Sequence, residues 1–209
     1  FEFFSKYFLP SIKLENLMAV KNWSAKDNTL IYDDNLYDST NNKWIRRASY
    51  PKKTIPSDQE AFKEYKKILT ITLEKDTGIV YLSMDHKSPE IAKNWVDIVI
   101  YNINESMREI DKLNAENSIN FLNETSESIK IQSIKDIIGK LLESQMQTLM
   151  LASSNKAYVF KTINSPVAPE YKSNPKRSLI CILGTILGFI LSLLIVLGQN
   201  VKNTSTNRI

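Results

Sequence analysis

The chain is expected to adopt an α+β fold, a small membrane-proximal β-sheet base with long extended helices and a C-terminal transmembrane helix. Three observations predict it. Residues 68–84 alternate apolar and polar side chains on both sides of a Gly-containing turn, the period-two pattern of a hairpin. No proline or glycine interrupts the chain from Glu90 to Ile138, which leaves room for helices far longer than average. An uncharged run from Leu179 to Gly198 supplies twenty residues, which as a helix would measure about 30 Å, the thickness of a bilayer's hydrocarbon core.

Residues 1–56 carry the weakest signals. Two apolar clusters, Phe1–Leu9 and Ile12–Val20, each suit a short helix, with Pro10 between them. Thr29–Tyr32 suits a short strand inside a stretch rich in Asp and Asn. Asp33, Asp34, Asn35 and Asp38 invite a calcium-loop reading, but the sixth place, where such a loop needs Gly, is Asp38, and the twelfth, where it needs Glu, is Trp44. A solvated loop is the expectation there. The opening residues lack the basic region and small-residue cleavage site of a secretory leader, and they resemble the interior of a domain, as in an N-terminally truncated fragment.

Ser57 followed by Glu60 is a capping box, so a helix should begin there and reach about Lys67. The strand Ile68–Glu74, the turn Lys75–Gly78 with Gly78 free to take positive φ, and the strand Ile79–Met84 complete a hairpin. Ser88-Pro89-Glu90 is a strong helix start: a hydroxyl cap, a proline where no amide is needed, and an acid at the positive end of the dipole. Val96, Val99, Ile103, Met107, Ile110 and Leu113 then form one apolar stripe. The first long helix is expected over about 89–124 and a second over about 129–152, the latter carrying Ile134, Ile138, Leu141, Leu142, Met146 and Leu149. Ala157–Ile163 is expected to be a strand pairing with the hairpin, so that the helices project from a shared sheet as a hairpin or a near-continuous rod.

Composition narrows the function. The net charge of +4 is mild and both signs are interspersed, which disfavours a nucleic-acid partner. Cys181 is the only cysteine and lies in the apolar run, so neither an internal disulfide nor a cysteine metal cluster is expected. His86, the single histidine, sits in a strand-to-helix loop without a Gly-x-Ser-x-Gly elbow, and is read as a surface or capping residue rather than a general base. The chain holds no phosphate loop, no Gly-x-Gly-x-x-Gly and no zinc-protease motif. The expectation is a non-enzyme with no cofactor and no metal.

Glu143, Gln145, Thr148-Leu-Met-Leu-Ala152, Tyr158-Val-Phe-Lys161, Pro169-Glu170, Lys172-Ser173 and Pro175-Lys-Arg177 stand in that order directly before the apolar run. Upstream lie Asp76-Thr-Gly78, Ser88-Pro89, Trp95, Asn104 and Arg108. This ordered set resembles the polysaccharide chain-length determinant family, the Wzz-type, class 1 polysaccharide co-polymerases. It covers about residues 57–198, and more faintly the region from Trp23 to Trp44. The chain departs from the family where an acidic residue and proline usually follow the last strand, having Asn164 and Ser165 with Pro166 one place later. The resemblance implies two membrane helices flanking a periplasmic domain, a homo-oligomeric ring in the bacterial inner membrane, and control of the length of O-antigen or a related glycan made on a lipid carrier by a Wzy-type polymerase. It also implies that the first membrane helix is missing. A subclass fused to a tyrosine kinase does not fit the short tail Gln199–Ile209, which carries no tyrosine and no phosphate loop.

On that reading residues 1–177 are the periplasmic domain, 178–198 the transmembrane helix and 199–209 a cytoplasmic tail. Pro166, Pro169 and Pro175 resist both helix and sheet and suggest a stiff strut; the plainer alternative is a juxtamembrane linker. Gly184, Gly188 and Ser192 recur every fourth residue as a small face for packing another membrane helix, although glycine is frequent in such helices anyway. Lys172, Lys176 and Arg177 before the run, against Lys202 and Arg208 after it, weakly favour a cytoplasmic domain by charge alone. The family resemblance places it in the periplasm. The competing class is a membrane-anchored helical adaptor of a secretion or export system.

Overall fold

The structure is a computed structural model and describes residues 1–154, 157–171, 180–190 and 192. Two compact units divide it, Phe1–Ala168 and Pro169–Ile209.

The first unit condenses on aromatic side chains. A wide helical turn, Phe4–Phe8, places Phe4 and Phe8 on one face, and both are fully buried. They close on Tyr65, with ring centroids 4.9 and 4.7 Å away, and Phe8 meets Trp95 edge-on at 6.0 Å. Each such pair contributes roughly 0.5–1.5 kcal/mol beyond its buried area. Desolvation pushes the Tyr65 hydroxyl up to about 12. Ala61, Met84, Val96 and Val99 complete the core, with half-buried apolar residues packed around it.

After a short turn at Leu9–Ser11 the chain forms helix α1, Leu14–Met18, then two small antiparallel hairpins. Strands β1 (Val20–Ser24) and β2 (Thr29–Tyr32) turn through Asn28, whose φ of 48° suits a residue tolerant of the left-handed region. Strands β3 (Tyr37–Asp38) and β4 (Lys43–Trp44) turn similarly through Asn42. Tyr37 is buried between the rings of Tyr32 and Trp44.

Helix α2 (Asp58–Ile68) opens on the full capping box: the Ser57 hydroxyl accepts from the Glu60 amide while Glu60 reaches back to the Ser57 amide. Strands β5 (Leu69–Leu73) and β6 (Val80–Met84) follow, with Gly78 at φ 70° in the turn. Leu69, Ile71 and Leu73 face Met84, Leu82 and Val80 on one side of the ribbon. Its root is buried in the core, whereas Ile71, Leu73 and Val80 towards the tip are exposed.

Ser88 caps helix α3 (Pro89–Ser128), whose 40 residues extend about 60 Å. Three residues at 129–131 reverse the chain, and α4 (Gln132–Ser154) returns along the far half of α3. The long helices therefore form a hairpin. Their seam has the 3.5-residue period of coiled-coil packing. On α4 it comprises Ile138, Leu142, Gln145, Leu149 and Ala152; on α3 it comprises Asn104, Arg108, Asp111, Ala115 and Leu122. Ala115 and Ala152 are each 1 % exposed, which allows the backbones to come close.

The expected shared sheet does not form. Each described hairpin stands as its own two-stranded ribbon, and Ala157–Ile163 is not a strand. The physical reason is a distant partner: the amides of Val159 and Phe160 are taken by the side chain of Asn104, which replaces a neighbouring strand.

In the second unit, residues 180–190 are helical, as is Ser192. Among the described residues no helix is long and apolar enough to cross a membrane. The stretch 180–190 spans about 16 Å, half of what a bilayer core needs. The remainder of the expected span at 178–198, other than Ser192, and the tail at 199–209 lie outside the described residues.

Candidate functional site

Asn104 sits on α3 one residue beyond the apolar stripe and is buried. Its Oδ1 accepts from the backbone amides of Val159 and Phe160, both at 2.8 Å, and its Nδ2 donates to the Phe160 carbonyl at 3.0 Å. Two turns of helix further, Asp111 accepts a 2.9 Å hydrogen bond from the Tyr158 hydroxyl. Burial and the adjacent carboxylate both raise the Tyr158 pKa, burial being the larger cause. Together these contacts form a clasp that fixes the chain just after α4 to the middle of α3. Asn can do this because it alone among small side chains offers a peptide-like donor and acceptor side by side. The signal available in the sequence was an isolated Asn flanking an apolar stripe, too common a feature to reveal its partner.

Beyond the clasp, residues 161–171 form neither helix nor strand. Pro166 is half-buried at the end of the first unit, and Pro169 is exposed at the start of the second. Pro175 lies outside the described residues. The three prolines are therefore not brought together as one described element.

The second candidate feature is the arm's outer surface. The stripe that builds the core through Val96 and Val99 continues along α3 as Met107, Ile110 and Leu113, followed farther out by Phe121. Only the inner part of this apolar stripe is buried. Val99 is 1 % exposed, but Leu113 is 57 % and Phe121 66 % exposed, because α4 covers a different face of the helix. On α4, Ile138, Leu142 and Leu149 enter the seam, whereas Ile134, Leu141 and Met146 remain open.

Gly184 and Gly188 both lie within the helical stretch 180–190, and a Cβ at either would meet no described atom within 4 Å. Ser192 is exposed. Among the described residues nothing covers the expected small face at Gly184 and Gly188.

The polar groups of the first hairpins are spent on local turns. Asp33 caps Asn35 through backbone and side chain, and Asp38 does the same for Thr40 and Asn41, which holds both carboxyls below their ordinary pKa. No group of three or more His, Cys, Asp or Glu is placed to hold a metal ion among the described residues. Both nitrogens of His86 are engaged by backbone groups, Nε2 with the Asn16 carbonyl and Nδ1 with the Ser88 amide.

Comparison with known proteins yields no match, either among family models or among curated proteins.

Proposed function

We propose that this chain is the body of a membrane-anchored polysaccharide chain-length determinant, a noncatalytic Wzz-type co-polymerase. It would assemble as a homo-oligomeric ring in the bacterial inner membrane, with its main domain in the periplasm. Its partner would be a Wzy-type polymerase acting on a lipid-linked glycan. Residues 178–198 would cross the bilayer and 199–209 form the cytoplasmic tail.

The observation that carries the reading is the clasp. Asn104 and Tyr158-Val-Phe160 belong to the upstream and downstream parts of the family resemblance, more than fifty residues apart, and they meet within hydrogen-bonding distance. The uncovered apolar face of the arm supports it further. A face continuous with a core but left open by the described residues suits burial against neighbouring subunits. A ring of such arms would organise the polymerase or the growing glycan and bias when synthesis stops.

The test is a glycan gel profile from cells with and without the gene. A modal distribution that collapses to a graded ladder on deletion is the expected result. An unchanged profile would overturn the proposal.

A further inference from the structure

His86 joins two parts of the fold that are distant in sequence. Its Nε2 lies 3.0 Å from the carbonyl of Asn16 on α1, and its Nδ1 lies 3.0 Å from the amide of Ser88, the residue that caps α3. The Asn16 oxygen can only accept and the Ser88 N–H can only donate. The ring must therefore be the neutral Nε2–H tautomer, donating to Asn16 and accepting from Ser88. It also packs edge-on against Trp95, centroids 4.8 Å apart, inside the core cluster. Asn16 is further held by the Tyr32 hydroxyl at 2.8 Å, so the ring's grip on α1 extends to the β1–β2 hairpin.

A proton added at Nδ1 would confront the Ser88 N–H directly. The Ser88 carbonyl is 3.3 Å away, but it already accepts from the Ala92 amide as the first bond of α3. A charged imidazolium would also stand at the positive end of a 40-residue helix. The charged side chains nearest in sequence to the contacts of the ring are Glu15 on α1, Asp85 and Lys87 in its own loop, and Glu90 and Lys93 at the start of α3. Of these, Lys87 acts on the imidazole, and it opposes the proton. Burial is the largest cause, and it holds the ring below its ordinary pKa of 6.5 although the backbone bonds to Asn16 and Ser88 favour the proton and offset it in part.

We propose that His86 is an acid-sensitive latch between α1 and the start of α3, closed while its ring is neutral and released when the ring takes up a proton. This inference is independent of the proposed function. A group whose pKa is depressed in the closed form contributes stability that is complete above 6.5 and declines as pH falls below it, until the closed form itself protonates. In that window opening becomes more frequent as pH falls, by at most about tenfold per pH unit.

The chain has one histidine, so the test is unambiguous. Nitrogen-15 NMR of the full chain in detergent should show an Nε2–H tautomer titrating below pH 6.5. Hydrogen exchange, corrected for its intrinsic pH dependence, should reveal the bonded amides of Ser88, Ile91, Ala92, Asn16 and Ala19 losing protection over the same range, by up to about tenfold per unit. In His86→Gln this pH-linked loss should vanish. An imidazole titrating at or above 6.5, protection unchanged through its titration, or an equal loss in His86→Gln would each overturn the latch.

Discussion

Asn104 and Phe160 pair like two residues of adjacent strands, although one contributes a side chain and the other its backbone. The Phe160 amide donates to Asn104 Oδ1 at 2.8 Å, and Asn104 Nδ2 donates back to the Phe160 carbonyl at 3.0 Å. This pairing, rather than a sheet, sets where the polypeptide leaves the helical arm.

Asn104→Ala removes both bonds and the third one to Val159. Because Val159 and Phe160 are half-exposed, water can replace the lost partner, and the cost should be about 2 kcal/mol. Amide exchange at 159 and 160 should accelerate while that of Val96 and Val99 in the core stays slow. Asn104→Asp keeps the acceptor but sets a carboxylate against the Phe160 carbonyl, and should cost at least as much. Unchanged exchange at 159 and 160 in both variants would show that the clasp does not hold the segment.

A second test concerns acid. Arg46 forms two hydrogen bonds with the Glu60 carboxylate, at 3.0 and 2.7 Å, and also ties the 53–54 backbone to the start of α2. The Arg46 hydrogen bond is the main cause that lowers Glu60 from 4.5 to about 2. A depressed carboxyl pKa contributes stability that is complete above the ordinary value of 4.5 and is lost as pH falls from there towards about 2. Glu60→Gln should destabilise by about 2 kcal/mol at neutral pH and flatten the stability profile between pH 4.5 and 2 in chemical denaturation. A variant whose profile keeps the wild-type slope would assign that slope to other carboxyls.

Much of the middle of this fold was legible in the sequence. The Ser57–Glu60 box, the 68–84 hairpin with its Gly78 turn and the Ser88-Pro89 start all rest on contacts within a few residues, and they stand where local chemistry puts them. What failed depended on partners far along the chain. Ala157–Ile163 has the alternation of a strand, but Asn104, over fifty positions away, satisfies its backbone instead. The stripe through Met107 and Leu113 has helical periodicity, yet periodicity cannot say whether a face is covered by α4 or left open. Of the candidate site residues, Asn104 was visible only through the resemblance, and Asp111 was invisible because a charged residue on a long helix is ordinarily solvated.

The open arm face gives a test of assembly. Replacing Met107 and Ile110 with Glu and Lys should leave monomer stability within about 0.5 kcal/mol, since both side chains are already exposed. If neighbouring subunits bury this face, the same change should shift the particle mass in detergent from a ring to smaller species and broaden the glycan length distribution. Intact rings with the double variant would remove the face from the interface.

Gly184→Leu and Gly188→Leu probe the second unit in the same manner. Neither residue would meet a described atom of its own chain at Cβ, so the variants probe packing against another helix. The expected outcome is an oligomer that dissociates at lower detergent concentration, with the circular dichroism unchanged. An oligomer as resistant as the wild type would leave composition as the sole reason for the small face.

The prolines test whether the segment after the clasp is a strut or only a connection. Each lacks an amide hydrogen and constrains the residue before it, so the described part of the segment, which is neither helical nor extended into a sheet, is stiffened by its sequence rather than by partners. Replacing Pro166, Pro169 and Pro175 with Ala restores three amides and frees the backbone without touching the Phe4–Tyr65–Trp95 core. Thermal unfolding of the body should therefore move little, within about 0.5 kcal/mol. If the segment fixes the height at which the ring meets the polymerase, the modal glycan length should nevertheless change or its peak broaden. A variant that assembles normally and yields the wild-type length distribution would reduce the segment to a linker, while leaving the clasp at Asn104 as the point where the arm is positioned.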